Sequence, residues 1–205
     1  HEELVNKVGE KIANEEKFVC HDSRNPEANV DIGVLPSGAR LVIDKVAAET
    51  DLLVSEGFIE PHFFAGFSGG RKSILPGVCD QVTVLGNHCS KFIDSPYART
   101  GILEGNPLHN DMVAAAKLAK LQYIVNVVID EEKKVAAAFA GDPFQAHETG
   151  CAFLKGYCRV KPQRKGDIVI TSNGGAPLDQ NMYQSVKGLS AAEAAAAPGA
   201  VLIIS

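Results

Sequence analysis

The spacing of apolar residues in the first part of the chain predicts a helix followed by short strands. Leu4, Val8 and Ile12 recur every four residues among charged side chains, which is the pattern of an amphipathic helix. The segments KFVC, VDIGVL and ARLVIDK that follow predict strands, and the turn PSG at residues 36–38 joins the last two into a hairpin. Another short strand is predicted at residues 52–54, and it leads into a loop rich in Gly, Phe and His. Loops at strand ends carry the chemistry of many α/β proteins.

In the middle of the chain the pattern alternates between helix and strand. The segment PLHNDMVAAAKLAK places its apolar residues on one stripe and predicts a helix, and LQYIVNVVID after it predicts a buried strand. Asp142 and Pro143 then predict the N-cap and first turn of a helix that runs to about Tyr157. Leu85 and Gly86 fit either the end of a strand or the start of a helix. This alternation favours an α/β fold with a mixed sheet.

The last forty residues predict a fresh βαβ unit. It consists of the strand DIVIT, the glycine loop SNGGAPLD, a helix from about Gln180 to Lys187 and the strand AVLIIS. Ser190 and Glu193 have the spacing of a capping box, which predicts that a second, separate helix begins there. The polar connector CRVKPQRKGD before this unit predicts a domain boundary.

The length agrees with two domains of unequal size. The chain has 205 residues, which is more than one average domain. We expect residues 1–165 to form a mixed-sheet α/β domain and residues 166–205 to be the first βαβ unit of a second α/β domain. A ligand is expected in the cleft between them, because such interfaces are common binding sites. Aromatic residues make up only 6% of the chain, so the core should be mostly aliphatic.

Composition excludes some functional classes. Apolar residues make up 45% and charged residues 22%, values typical of packed globular domains and not of disordered chains or coiled coils. A net charge of −5 argues against a nucleic-acid partner. Without a signal peptide or a run of about 18 apolar residues, the protein is expected to be cytoplasmic and to have no membrane partner. The five cysteines are odd in number and lack CxxC spacing, which favours reduced thiols.

The most unusual segment is the loop EPHFFAGFSGGRKSILPG at residues 60–77. Its glycines allow close approach of the backbone to a ligand, and amides at a helix start attract anions, so we predict a phosphate-type cofactor site. The segment nearly matches the nucleotide-binding pattern G-x-x-x-x-G-K-S, but Arg71 stands where the second Gly should be, which argues against an NTPase. A glycine-rich turn with solvated cations is the alternative. The residues predicted to bind the cofactor here are Ser68, Gly69, Gly70, Arg71 and Lys72.

Two histidines flank this loop in the sequence. His62 lies ten residues before Lys72, and His88 lies sixteen after it. Taken singly, each histidine is better explained by a structural role than by a ligand role. Together with the lysine they offer a base, a cationic or covalent anchor and a nitrogen ligand for a transition metal.

The second glycine loop adds three polar residues to the candidate site. Gln184 and Lys187 are three residues apart and Tyr183 and Lys187 are four apart, so on a helix all three share one face. They are predicted to face the same ligand. A solvated amphipathic face is the alternative interpretation.

Several motifs carry a resemblance to a known family. The chain contains EPHFFAGFSGGRKSILPG, GNH, GNPLHNDM, AGDPFQAH and SNGGAPLDQNMYQSVKG. Together these segments resemble the nickel-dependent lactate racemase family of 2-hydroxyacid racemases and epimerases, which are isomerases. The resemblance extends over essentially the whole chain.

The resemblance implies a nickel pincer nucleotide as the cofactor. This group is a pyridinium-3-thioamide-5-thiocarboxylate mononucleotide that holds nickel through its sulfurs and a ring carbon. Lys72 would be attached to it covalently through the thioamide, and His88 would be the metal ligand from the protein. Such a donor set suits square-planar Ni(II). Enzymes that build the cofactor are implied as partners.

The resemblance also implies a reaction and roles in it. A small lactate-like 2-hydroxy acid would be racemised or epimerised by reversible hydride transfer through a planar 2-keto acid. His62 would be one of two catalytic bases. Lys187 and Gln184 would orient the substrate carboxylate or stabilise the oxyanion, with Lys187 the stronger candidate. Tyr183 would contact the cofactor.

The sequence also departs from the family pattern. The second catalytic histidine of the family, in a Thr-His-Arg type motif, and an Arg that binds the substrate are expected before the first residue. His1 does not match that motif and is not assigned the role. Most of the second domain is expected after Ser205, so the fragment alone is expected to be inactive. The remaining histidines are expected to be structural or to contact the site residues from behind: His21, His109 and His147.

The sequence is also compatible with two other functions. A pyridoxal-phosphate-dependent isomerase also needs a lysine and a phosphate site, but it gives no role to His88 and requires a partner for the pyridinium nitrogen. A non-enzymatic nucleotide- or phosphate-binding module is the other alternative.

Overall fold

The computed structural model describes residues 2–176 and 178–205; His1 and Pro177 lie outside this part. The helices in the described part are α1 (Glu2–Val8), α2 (Glu10–Glu15), α3 (Lys45–Glu49), α4 (Gln81–Asn87), α5 (Ser90–Ile93), α6 (Pro107–Leu118), α7 (Gln145–Cys158) and α8 (Met182–Ala195). The strands are β1 (Asn29–Val34), β2 (Arg40–Asp44), β3 (Leu53–Phe58), β4 (Pro61–His62), β5 (Gly66–Phe67), β6 (Leu121–Ile129), β7 (Val135–Gly141), β8 (Gly166–Thr171) and β9 (Ala196–Ile204). None of these helices is both long enough and apolar enough to cross a membrane.

The predicted hairpin is present, but one predicted strand before it is not. Strands β1 and β2 pair antiparallel around the turn at residues 36–38. The segment KFVC at residues 17–20 is irregular, and its Phe18 and Val19 side chains are exposed. The prediction of a strand there was wrong because an apolar tetrapeptide becomes a strand only where a partner strand accepts its backbone hydrogen bonds.

A three-stranded mixed sheet lies at the centre of the first part of the chain. Its order is β3-β6-β7, with β3 parallel and β7 antiparallel to β6. The predicted mixed sheet is therefore confirmed. Strand β7 was missed in the sequence, because VAAAFAG is rich in alanine and carries a weak strand signal. Hydrogen bonding to β6 stabilises β7 although the intrinsic strand propensity of its residues is low.

Two hydrophobic clusters support the region around the glycine-rich loop. The first lies between the β1–β2 hairpin and α6, where Leu41, Ile43, Leu108 and Met112 are fully buried. The second lies between the central sheet and α7, and its buried members are Ile59, Phe67, Val128, Cys151 and Leu154. Residues of the loop belong to both clusters, so the loop is part of the packed interior.

Helix boundaries differ from the sequence prediction where glycine or a cap intervenes. The opening helix is divided at Gly9, whose φ of +84° does not fit an α-helix. Leu85 lies in the last turn of α4, which settles that position as helical. Helix α7 begins at Gln145, and the Asp142 carboxylate accepts hydrogen bonds from the N–H groups of Phe144 (3.0 Å) and Gln145 (2.9 Å). Asp142 thus makes the bonds predicted for the cap, although the helix begins later.

The predicted βαβ unit is present at the C-terminal end. Strands β8 and β9 are parallel, and α8 packs against both. The prediction of two helices was wrong: α8 is continuous, and Ser190 lies within it. Gly188 does not end the helix. Gly188 is buried, and a Cβ at this position would come within 3.0 Å of Asn173 Oδ1 and Ile204 Cδ1. A glycine therefore permits close packing of α8 on the strands. Residues 159–165 form no helix or strand, and the domain boundary at residue 165 stays a prediction.

Candidate active site

The segment 60–77 forms a compact turn whose shape depends on one glycine. Pro61 and His62 of β4 pair with Phe67 and Gly66 of β5 in a miniature hairpin. Gly66 has a φ of +80°, and a Cβ at this position would overlap the Ile102 carbonyl group. Only glycine fits both constraints. The hairpin is followed by a 3-10 turn, Gly70–Ser73, which contains Lys72.

Arg71 points into the protein and holds this turn. Its guanidinium donates to the carbonyl oxygen atoms of Ala65 (2.9 Å) and Gly69 (3.1 Å). It also donates to His109 Nδ1 (3.1 Å) and lies 3.0 Å from His147 Nε2. The side chain is only 2% exposed. The geometry therefore favours a structural role for Arg71 over the predicted contact with a phosphate.

The other predicted phosphate donors are also satisfied inside the loop. Ser68 Oγ donates to the Phe58 carbonyl (3.0 Å) and accepts from the Glu60 N–H (2.8 Å). The Gly70 N–H donates to Asn126 Oδ1 at 2.7 Å. Gly69 packs so closely on β6 that a Cβ would lie 2.8 Å from the same oxygen atom. Contacts of Ser68, Gly69 and Gly70 with a cofactor stay a prediction that this arrangement does not favour.

Asn126 is a site residue that sequence reasoning missed. It is completely buried in β6, and its side chain fixes the start of the lysine-bearing turn. A signal was available in the sequence, because Asn126 is a polar amide within the otherwise apolar run YIVNVVI. A buried amide of this kind is retained where it meets a backbone donor.

His62 and Lys72 meet at the centre of the site. Lys72 Nζ lies 3.4 Å from His62 Nε2 and 5.9 Å from the centroid of the Phe64 ring. The His62 ring stacks on Phe63 with a centroid distance of 4.9 Å and meets Phe64 edge-on at 4.5 Å. Its Nδ1 accepts a hydrogen bond from the Ala65 N–H at 3.2 Å. This bond places the proton of the neutral ring on Nε2.

Both groups lose charge in this environment. Burial, and then the positive charges of Lys72 and Arg71, lower the pKa of His62 to about 3. Burial, followed by the charges of Arg71 and Lys187, lowers the pKa of Lys72 to about 8. At neutral pH the imidazole is therefore uncharged, and an appreciable fraction of Lys72 is the free amine.

His88 contacts the same phenyl ring. It caps the C-terminus of α4, and its ring meets Phe64 edge-on with a centroid distance of 5.1 Å. Burial and the Lys72 charge lower the pKa of His88 to about 4, and the nearby Val84 carbonyl opposes them with a smaller effect. Among the described residues, the buried Nδ1 atom has no hydrogen-bond partner. The structure therefore holds a neutral imidazole with an unused nitrogen, which is what a transition metal requires of a histidine ligand.

A metal at His88 would need further ligands from elsewhere. Within residues 2–176 and 178–205, no group of three or more His, Cys, Asp or Glu side chains is arranged to hold a metal ion. A single imidazole fits a metal whose other donors come with a cofactor, and it does not fit an ion held by protein ligands alone.

Of the three residues predicted on α8, Lys187 is the one whose charge acts on residues of the loop. Its charge acts on Lys72 and His62, and it opposes the effect of burial, which raises the pKa of Glu60. Gln184 Oε1 is buried and has no hydrogen-bond partner in the described part of the chain. Tyr183 is 78% exposed, and its contact with the cofactor stays a prediction.

Phe64 is the second residue that sequence reasoning missed. Its ring is in contact range of His62, Lys72 and His88, so one buried side chain sets the spacing of the three candidate groups. The sequence shows it only as half of an FF pair inside the loop. Its central place depends on the fold of the miniature hairpin.

Two family models match the chain. The model described as the lactate racemase N-terminal domain matches residues 1–101, and the lactate racemase C-terminal domain matches residues 161–205. Together they cover more than half of the sequence.

Curated relatives match nearly the whole chain. The lactate racemase of Thermoanaerobacterium thermosaccharolyticum is 59% identical over 203 residues, which are 99% of this chain and 47% of that protein. The lactate racemase of Lactiplantibacillus plantarum is 57% identical over 204 residues, which are 100% of this chain and 48% of that protein. The chain thus spans about half the length of these relatives.

Solved structures give the same result for the fold. The structure of the lactate racemase apoprotein from T. thermosaccharolyticum superposes with a TM-score of 0.96 at 59% identity, covering 99% of this chain and 48% of that one. A Thermotoga maritima protein shares the fold alone, with a TM-score of 0.69 at 23% identity over 83% of this chain and 47% of that one. On the combined evidence of motifs, structure and relatives, the chain belongs to the lactate racemase family.

Proposed function

We propose that this chain carries the cofactor site of a nickel-dependent racemase that interconverts the enantiomers of lactate or a similar 2-hydroxy acid. One observation carries the proposal: Lys72, His62 and His88 surround a single phenyl ring, and burial suppresses the charge of all three. The relatives named lactate racemases support the choice of substrate. Cofactor-building enzymes are the proposed partners, and the cytoplasm is the proposed location.

Lys72 and His88 are the proposed attachment points of the nickel pincer nucleotide. Lys72 would hold it through a covalent bond to Nζ, for which an amine with a pKa of about 8 is well suited. His88 would be the metal ligand, because its ring is neutral and its Nδ1 has no partner among the described residues. When bound, the cofactor supplies a reversible hydride acceptor.

His62 is the proposed base on one side of the substrate. It would take the hydroxyl proton when hydride leaves the same carbon atom. In the present state Nε2 carries the ring proton, so accepting a proton at Nε2 requires the other tautomer and release of the Ala65 N–H bond. Conversion of the Lys72 amine to an uncharged thioamide would remove one of the positive charges that lower the pKa of His62, and the basicity of His62 would rise.

Lys187 is the proposed carboxylate-binding group. Its ammonium is exposed and its charge acts on Lys72 and His62, so an acidic substrate near these residues would be attracted to it. Gln184, whose buried Oε1 has no partner among the described residues, is a weaker candidate for orienting the substrate. The loop donors that a phosphate-binding module would use are occupied within the protein, and a pyridoxal-phosphate site gives no role to His88.

Nickel content and the mass of the Lys72 peptide test the proposal. The full-length protein is produced together with cofactor-building enzymes, and nickel, peptide mass and lactate racemisation are measured on each variant. We expect His88→Ala to lose nickel, and His62→Ala to keep nickel and lose turnover. Lys72→Ala should lose the added mass, whereas the control Lys91→Ala, at an exposed position on α5, should keep it. Nickel retained by His88→Ala would contradict the ligand assignment, and a borohydride-reducible aldimine on Lys72 would contradict the nickel cofactor.

A further inference from the structure

Arg71 is the largest fully buried side chain of the described part, and it has no acidic partner there. It is 2% exposed, and none of the ion pairs in the described residues includes it. Burial lowers its pKa to about 10, which leaves the guanidinium charged at neutral pH. A buried charge without a counter-charge is unfavourable, so its retention beside Lys72 requires an explanation.

The groups that hold Arg71 are all uncharged. The carbonyl groups of Ala65 and Gly69 accept from it, as does His109 Nδ1. Burial and the Arg71 charge lower the pKa of His109 to about 4 and that of His147 to about 3, so both rings are neutral. These partners satisfy its hydrogen bonds but leave its positive charge uncompensated.

One thiol near this group is also neutral. Cys151 Sγ lies 3.5 Å from His147 Nε2. Burial raises the pKa of Cys151 to about 12, with Arg71 acting in the opposite direction. At neutral pH the thiol therefore does not supply the missing negative charge.

We propose that Arg71 is a positioning residue whose uncompensated charge favours the neutral, nucleophilic form of the neighbouring Lys72 amine for covalent attachment of the cofactor. The inference rests on the proposed role of Lys72 as the attachment point. Lowering a lysine pKa with an adjacent cation is a general way to activate an amine, because the cation repels the ammonium form and leaves the amine form unaffected.

The surroundings of Lys72 contain cations and neutral rings. His62 of β4 and His88 at the end of α4 are neutral, and Lys187 of α8 and Arg71 are positive. Glu60 is the acidic group on this side of the loop, and burial raises its pKa while Lys187 opposes that effect. No ion pair to Lys72 occurs in the described residues. The positive charges in this set disfavour the ammonium form of Lys72.

The effect on reactivity is large. Burial, followed by Arg71 and then Lys187, lowers the pKa of Lys72 from 10.5 to about 8. At pH 7 this raises the fraction of free amine by about 300-fold. Arg71 is the second cause after burial, and one nearby unit charge of the same sign accounts for about tenfold of such a change.

The attachment step that this amine would carry out is a condensation without oxidation or reduction. The Lys72 nitrogen forms a bond to the carbon of a thiocarboxylic acid, and the carbon–oxygen bond breaks. The oxygen leaves as water with one proton from the amine and one from the thiol. The product is a thioamide, and a protonated lysine could not begin this step because it has no lone pair.

The rate of Lys72 acylation in the full chain without cofactor tests the inference. The probe is the N-hydroxysuccinimide ester of acetic acid, applied between pH 6 and 11, and acetylation of each lysine is followed by peptide mass spectrometry. In the unmodified protein, the acetylation rate of Lys72 plotted against pH should have its midpoint near pH 8. Exposed Lys11 serves as the internal reference. Arg71→Gln should raise the Lys72 midpoint and lower its rate at pH 7 about tenfold.

Two further variants separate charge from structure. Arg71→Lys keeps the charge and should keep the low midpoint, even where the loss of the guanidinium fork loosens the turn. Arg24→Gln removes an exposed arginine and should behave as the unmodified protein. A Lys72 midpoint in Arg71→Gln equal to that of the unmodified protein would overturn the inference. So would a midpoint that rises equally in Arg71→Gln and Arg71→Lys, or one in the unmodified protein that matches Lys11. Because no cofactor is involved, none of these outcomes depends on whether nickel binds.

Discussion

The buried cluster of Arg71, His109 and His147 should make the protein lose stability in mild acid. His109 and His147 have an ordinary pKa of 6.5, and in the folded protein burial and the Arg71 charge lower it to about 4 and about 3. Below pH 6.5 the two histidines therefore bind protons in the unfolded chain but stay neutral in the folded protein. The contribution of the two neutral histidines to stability is fully present above pH 6.5. It is lost progressively as the pH falls from 6.5 toward 4 and 3.

The magnitude follows from the difference in bound protons. Each histidine that stays neutral in the folded protein lowers the free energy of unfolding by about 1.4 kcal/mol for every pH unit below 6.5. The two histidines together would lower it by about 3 kcal/mol at pH 5.5. The His109 ring is partly exposed, and solvent screening reduces its share, so we expect this pair to contribute a loss of about 2 kcal/mol between pH 7.5 and pH 5.5. This is a substantial part of the stability of a typical domain. His62 and His88, whose pKa values are also lowered, add to the total loss in every variant of the pair.

Urea denaturation at the two pH values measures this loss. The matched variant replaces both His109 and His147 with Gln, whose amide oxygen can accept from Arg71 but does not titrate. The variant should lose about 2 kcal/mol less than the unmodified protein over the same interval. An equal loss in both proteins would show that protons are not excluded from this cluster, and the electrostatic account of Arg71 would fail with it.

Two further predictions concern the backbone that carries the site. Asn126→Leu leaves the buried Gly70 N–H without its acceptor and should lower the free energy of unfolding by about 2 kcal/mol in urea titrations; an unchanged midpoint would mean that the turn does not depend on this bond. Gly66→Ala forces a side chain into the Ile102 carbonyl at a positive φ and should lower the melting temperature by an amount equivalent to about 3 kcal/mol. The control is Gly156→Ala in α7, where a Cβ meets nothing within 4 Å and about 0.5–1 kcal/mol of stabilisation is expected; equal effects at both glycines would contradict the steric argument.

Local patterns in the sequence were sufficient for much of the architecture. The β1–β2 hairpin, α6 with β6, and the β8-α8-β9 unit were each predicted from periodicity and turn residues, because these signals reside within a few neighbouring residues. The motif around Lys72 was equally readable, since its glycines and cations are consecutive. The family resemblance rested on such motifs.

Elements that depend on distant partners were not readable in the same way. Strand β7 is paired through β6, and the continuity of α8 past Gly188 depends on its packing against Asn173 and Ile204. Periodicity reports which face of an element is buried, but it does not report what the element is buried against. These two features were therefore missed or misjudged.

The sequence by itself determined which chemical groups this protein has and in what local order: a lysine in a glycine-rich turn, with a histidine on either side. Only the tertiary structure decided what each group does. The Arg71 side chain turns inward to His147, 76 residues away, and the Gly70 N–H finds its acceptor on Asn126, 56 residues away. The physical reason is that charge state and orientation depend on burial and on neighbours in space, and folding brings those neighbours from remote parts of the chain.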